Sequence, residues 1–200
     1  MRNVSLSGRA TVFALVVGAL VALDLGSKSW IFNRLGCAQI GLPGPGQEWL
    51  IRDVFAFTTS LNEGALFGVG KGYSHGFAAL SVVAAIFIAY WLFGRGGARD
   101  WLLTISLAFI MAGTLGNLYD RLGLHGLRDV AGQPVHAVRD FLYFAPIDWP
   151  VFNVADSSLM TGAGLLLLHA FLADRRTEAT TAQAESRAGE KVDHAEANQA

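Results

Sequence analysis

Cysteine is almost missing from this sequence. Cys37 stands alone among 200 residues, so neither an internal disulfide nor a four-cysteine metal site can form. Charge is scarce too: Asp, Glu, Lys and Arg make up 16% of the chain, against about 25% in an ordinary soluble domain. A net charge of −1 offers nothing to a nucleic-acid backbone. His-Glu-x-x-His does not occur, and His75, His125, His136 and His169 lack metal-ligand spacing, so neither metal nor other cofactor is expected. There is no direct repeat, and no inverted repeat of the kind that builds many transporters.

What the chain does have is apolar residues, 52% of the total, gathered in long uncharged runs. Four of them, at about 12–32, 75–93, 101–119 and 151–173, approach the roughly 20 residues that cross a bilayer as a helix. The expected fold is an all-α membrane protein, a four-helix bundle in residues 1–173, with long loops at 33–74 and 120–150. The first run follows Arg2 and Arg9 as a signal peptide would. It lacks a small-x-small cleavage site, however, and continues through Asp24 to Phe32, so it reads as a retained helix. Cys37 is a poor lipid-attachment site, because Arg34 stands where such a site needs Leu. Residues 41–46 read as turns, and residues 49–61 alternate enough to suggest short strands. The polar tail, 174–200, reads as disordered, or at most as a helix continuing the fourth span.

Arg2, Arg9, Arg95, Arg99, Arg175 and Arg176 crowd very short segments on one side of the spans. Arg34, Arg52, Lys71, Arg121, Arg128 and Arg139 are spread over the long loops of the other. By density, the positive-inside rule puts both termini in the cytoplasm and both long loops outside.

In this topology Asp24, Lys28, Asn62, Asn117, Asp120, Arg121, Asp140, Asn153 and Asp156 all fall at the outer end. Asp24 and Lys28 share a helical face, as do Asn117 and Arg121, and Asn153 and Asp156. Polar side chains in spans face the bundle interior or a water-filled cavity, and one outer cleft would satisfy them together. Plainer roles compete. Asp24 with Lys28 can be an anchoring ion pair, Asp120-Arg121 an interfacial stop, Asp156 a helix N-cap, and Asp140 a surface carboxylate beside Arg139. The rival function is a small transporter or channel subunit with a polar outer vestibule. It requires polar residues through the full depth of the spans, and the middles of the second and third runs are apolar.

Five motifs occur in order: Asp24-Leu25-Gly26-Ser27-Lys28, Asn62-Glu63-Gly64-Ala65-Leu66-Phe67-Gly68, Gly113-Thr114-Leu115-Gly116-Asn117-Leu118-Tyr119-Asp120-Arg121, Val138-Arg139-Asp140-Phe141 and Phe152-Asn153-Val154-Ala155-Asp156. Together they resemble the motif set of the lipoprotein signal peptidases, or signal peptidase II, over about residues 12–172. The resemblance implies a monomeric aspartyl endopeptidase of the bacterial inner membrane, with a small β-cradle outside. Its substrates would be diacylglyceryl-modified prolipoproteins, cut just before the lipidated cysteine, and globomycin-type inhibitors would block it. Asp140 and Asp156 would be the catalytic pair. Asn62, Asn117, Arg121 and Asn153 would line the site, Asp24 would be needed for integrity or activity, and Gly64, Lys28 and Asp120 would support them. The chain departs from the family pattern in three places: Thr114 follows Gly113 where Gly-Gly is common, Arg139 precedes Asp140 where an apolar residue is usual, and the 122–137 loop is long. Arg139 is expected either to act on the ionisation of Asp140 or to turn toward lipid headgroups, and the loop to form an extra lid.

Overall fold

A computed structural model describes residues 6–40, 42, 44–64, 70 and 72–197. Gly41 and Pro43 of the turn region, Ala65-Leu66-Phe67-Gly68 of the second motif, and Arg2 and Lys71 of the charge comparison lie outside the described residues.

Without water, a chain in lipid must satisfy its backbone internally, so long uncharged runs become helices. Helices α1 (Leu6–Leu35), α2 (Ser74–Ala89, extended by a wider turn at Tyr90–Gly94), α3 (Trp101–Arg121) and α4 (Val154–Ala197) contain the apolar stretches. Four segments, Gly8–Leu35, Ser74–Gly94, Trp101–Arg121 and Val154–Arg175, are long and apolar enough to cross a membrane. Leu15, Leu80, Val83, Ile86, Phe87, Leu167 and Phe171 project outward from them, exposed. α4 runs on as a helix through the polar segment to Ala197, well past the end of its apolar part.

α3 is the most buried of the four, and the other three pack on it. Glycine allows α4 to lie close. A methyl group on Gly162 would stand 2.6 Å from Ile110 Cγ1 and 2.7 Å from Ser106 O, and one on Gly113 would collide with Ala155 O. The start of α3 is capped by Asp100, whose Oδ1 accepts from Leu103 N at 2.9 Å. Toward that end the bundle interior is apolar, with Phe13, Ile88, Leu92, Leu107, Ala108 and Met111 packed together.

The opposite end carries a four-stranded antiparallel sheet in the order β1 (Gln47–Ile51), β2 (Phe55–Asn62), β3 (Val138–Phe144), β4 (Trp149–Phe152). The alternation at 49–61 thus becomes a hairpin, and the 120–150 loop supplies two strands that its composition did not announce. Pro150 sits in β4, at the sheet edge, where a missing N–H is tolerated. β4 takes up the residues around Val151, and α4 begins at Val154. In the β2–β3 register Ser60 faces Asp140 and Leu61 faces Arg139. Alternation sends Leu61 and Phe141 down onto Ile31 and Phe32 of α1, together with Val135 and Leu127 of the long loop.

Candidate active site

The sheet and helices α1, α3 and α4 bring the polar residues of the motifs together in two adjoining clusters. The first is ionic. Lys28 is fully buried, and its ammonium donates to Asp24 Oδ2 at 2.7 Å and to Asn117 Oδ1 at 3.1 Å, with Asp120 Oδ2 in ionic contact at 3.2 Å. Asp24 Oδ1 accepts from Ala155 N at 2.8 Å, so the carboxylate of α1 meets the exposed amides and positive dipole end of α4. Gly116 makes room, because a methyl group there would stand 2.5 Å from Asp24 Oδ2. Asp120 binds Arg139 three times, accepting from the backbone N at 3.0 Å on Oδ2, and from Nε at 3.1 Å and Nη2 at 2.9 Å on Oδ1.

Asp24-Lys28 is therefore an ion pair that also ties α1 to α3 and α4. Asp120 is fully buried, not an interfacial stop. Arg139 turns neither to headgroups nor toward Asp140. It faces Asp120 and is 4% exposed.

The second cluster holds Asp140 and Asp156. Asn153 joins them: its Nδ2 donates to Asp140 Oδ1 at 2.6 Å, and its backbone N donates to Asp156 Oδ2 at 3.1 Å. Asp156 N returns a bond to Asn153 Oδ1 at 2.8 Å. This reciprocal pair is a capping box, with Asn153 as the cap and Asp156 three residues on. The N-cap expected of Asp156 belongs to Asn153. The signal was in the sequence as Asn-x-x-Asp ahead of an apolar run. Asn117 Nδ2 donates to Asp156 Oδ1 at 2.8 Å, and Asn62 Nδ2 donates to Asp140 Oδ2 at 3.2 Å. Asn153 Nδ2 also reaches Asn117 Oδ1 at 3.1 Å, the same oxygen that Lys28 holds.

Asp140 is 2% exposed, and its donors are neutral amides. Burial, followed by the nearby charge of Asp156, pushes its carboxyl well above the ordinary carboxylate range. Lys28 and the two amides pull the other way and are outweighed.

Arg121 is set to one side. Its Nη2 donates to Gly64 O at 3.2 Å, and the guanidinium lies 5.5 Å over the Phe77 ring. Gly64 N in turn donates to Asn62 Oδ1 at 2.9 Å. Arg121 Nε is buried without a hydrogen-bond partner among the described residues. The 122–137 loop folds back on itself through an Arg128–Pro134 bridge, and His136 Nδ1 donates to Arg121 O at 3.1 Å. Among the described residues, no three His, Cys, Asp or Glu side chains are grouped to hold a metal ion.

Helices and site together define an integral membrane protein in which Asn153 joins a buried and a half-buried aspartate at one end of the bundle. Residues 16–172 match the family model described as signal peptidase (SPase) II. The lipoprotein signal peptidase of Rhodopirellula baltica is 43% identical over 169 residues, covering 81% of this chain and 74% of that one. That of Brevibacillus brevis is 34% identical over 160 residues, covering 80% and 95%. A bacterial membrane enzyme solved in meso at 2.3 Å superposes with a TM-score of 0.65 and 26% identity, over 82% of this chain and 90% of its own. The chain belongs to the signal peptidase II family.

Proposed function

We propose that this chain is an aspartyl endopeptidase that removes signal peptides from diacylglyceryl-modified prolipoproteins, cutting just before the lipidated cysteine, with Asp140 and Asp156 as its catalytic pair. The observation that carries the reading is the joint grip of Asn153 on both carboxylates, one of them buried among amides that leave its charge unmatched. Such a pair does not ionise twice at little cost, so it shares a proton.

The proton resides on Asp140, the buried member. Asp156, in the first turn of α4, occupies a position that favours negative charge. Asp156 takes a proton from water as the water oxygen bonds to the scissile carbonyl carbon. Asp140 gives its proton to the carbonyl oxygen, so the tetrahedral intermediate is neutral. On collapse the C–N bond breaks, the amine nitrogen takes the proton held by Asp156, and Asp140 recovers its own from the hydroxyl. Asn62 and Arg121, with its unpartnered Nε, hold substrate carbonyls so that the bond is oriented before attack. No step calls for a metal or cofactor.

The protein sits in the bacterial inner membrane as a monomer, both termini in the cytoplasm. The sheet and the site lie at the outer face, where the substrate's lipid chains rest between helices. The domain is residues 1–173, with the tail 174–200 on the cytoplasmic side. A channel is disfavoured by the apolar packing of Phe13, Leu92, Leu107 and Met111 across the far end of the bundle.

The test is a gel-shift cleavage assay on a diacylglyceryl-modified prolipoprotein. Wild type cleaves it, a globomycin-type inhibitor stops cleavage, and EDTA does not. Asp140→Asn and Asp156→Asn each lose on the order of 10³-fold or more in rate while still inserting and folding. Full activity in either variant rejects the pair.

A further inference from the structure

Neighbouring residues of a strand point to opposite faces, so Arg139 leaves β3 on the side away from Asp140. There its backbone N, Nε and Nη2 all bind Asp120 of α3, and Nη1 donates to Ser29 Oγ of α1 at 3.2 Å. Pairing with β2 already holds β3 in the sheet. The ladder to β4, where Leu142 faces Phe152 beside Asn153, and the packing of Phe141 on Ile31 and Phe32 of α1 fix part of the placement of Asp140 and leave open the gap between β3 and α3. Arg139 spans that gap. It also offsets the charge of Asp120, whose other cationic partner, Lys28, is shared with Asp24. A planar guanidinium with a fork of donors suits the task better than an ammonium.

We propose that Arg139 is a positioning residue for Asp140: through Asp120 and Ser29 it sets the placement of the β3 carboxyl against Asn153, and it cancels the charge of Asp120 at the reacting pair. This rests on reading Asp140 and Asp156 as that pair.

The test is cleavage of the same prolipoprotein across pH by full-length protein in detergent. Misplacement by about 1 Å costs on the order of 10²-fold, so Arg139→Met lowers kcat by about that factor with KM changed less than about twofold. Loss of the positive charge leaves Asp120 unbalanced and favours the protonated form of Asp140, so the alkaline limb of the profile moves to higher pH. Asp120→Asn moves it to lower pH, and the double variant returns toward the wild-type limb. Arg139→Lys keeps the charge but not the fork, giving lowered kcat with a wild-type limb. A structural tie alone would not move the limb in opposite directions in the two single variants. Wild-type kcat in Arg139→Met, a loss confined to KM, or an unmoved limb overturns the inference. If Arg139→Met does not fold, Arg139→Lys decides, and wild-type kcat there overturns it. An Asp140→Asn variant that still cleaves breaks the underlying reading instead. An inactive Asp140→Asn with an unaffected Arg139→Met breaks only this one.

Discussion

Four buried or half-buried aspartates meet at one end of the bundle, and they fall into two kinds. Asp24 and Asp120 are met by cations and main-chain amides: Lys28 and Ala155 N for the first, Lys28 and Arg139 for the second. Asp140 and Asp156 are met by Asn62, Asn117, Asn153 and one backbone amide. Both kinds satisfy their hydrogen bonds, but only the first is in direct contact with cations, two carboxylates against Lys28 and Arg139, whereas Arg121 and Lys28 act on the second through space. Hydrogen bonding holds a buried carboxylate in place. A cation in contact offsets more of the cost of burying its charge than neutral amides do. The ionic cluster thereby ties α1, α3, α4 and β3 together, while the second holds its two carboxyls through amides. Lys28, through Asn117 Oδ1, borders both.

The sharpest way to break this contrast, after the Asp140 and Asp156 substitutions, is Lys28→Met. It leaves Asp24 without its cation and Asp120 with only Arg139. Removing one partner of a buried ionic group typically costs about 3–5 kcal/mol. Thermal unfolding in detergent should register a loss of that order, together with lost cleavage. Asp24→Asn/Lys28→Met removes a matched pair and should cost less than the sum of the two single variants, since partners in one network couple. Additive losses would mean that the two side chains do not act as a unit.

How much of this contrast the sequence carries depends on the range of the interaction. The four apolar helices and the hairpin of β1 and β2 follow from runs and alternation, which are local. Asp24-Lys28, Asn117-Arg121 and Asn153-Asp156 could be paired by helical spacing alone. The link from Asp24 to Ala155 N joins residues far apart in the chain, and no local pattern announces it. Arg139 shows the limit most plainly. Beside Asp140 in sequence, it reads as that residue's neighbour, yet strand alternation turns it to the other face, where α3 happens to place Asp120. Strands β3 and β4 were hidden for a related reason: β4 is four residues long and contains Pro150, and β3 takes its partners from β2, far away in the sequence, and from β4. The motif order singled out Asp140 and Asp156. It did not reveal that Asn153 would hold both members.

A milder perturbation, Gly116→Ala, tests whether the ionic cluster depends on close helix packing. Its methyl group would stand 2.5 Å from Asp24 Oδ2 and 3.2 Å from Ala155 Cβ. It pushes Asp24 off the α4 amide without touching Asp140 or Asp156. Overpacking of this kind costs about 1–3 kcal/mol, less than loss of Lys28. The fall in unfolding midpoint should therefore exceed the fall in kcat. A variant as stable as wild type would show that the α1–α4 link has slack.

The smallest effect probes the reactive side through protons alone. The carboxyl of Asp140 lies well above the ordinary carboxylate range when folded, raised by burial first and Asp156 second. A group raised on folding contributes stability that is whole below its unfolded value, near pH 3.8, and is lost as pH climbs toward its folded value. In that window one proton gives a slope of at most about 1.4 kcal/mol per pH unit. Wild type should lose midpoint temperature relative to Asp140→Asn as pH rises from about 4, and a flat or rising difference would contradict the burial argument. Asp156→Asn removes only the second cause. It should shorten the pH range over which that loss runs without abolishing it, because the first cause is the low-dielectric pocket of β3, which stays in place when its acidic neighbour is gone.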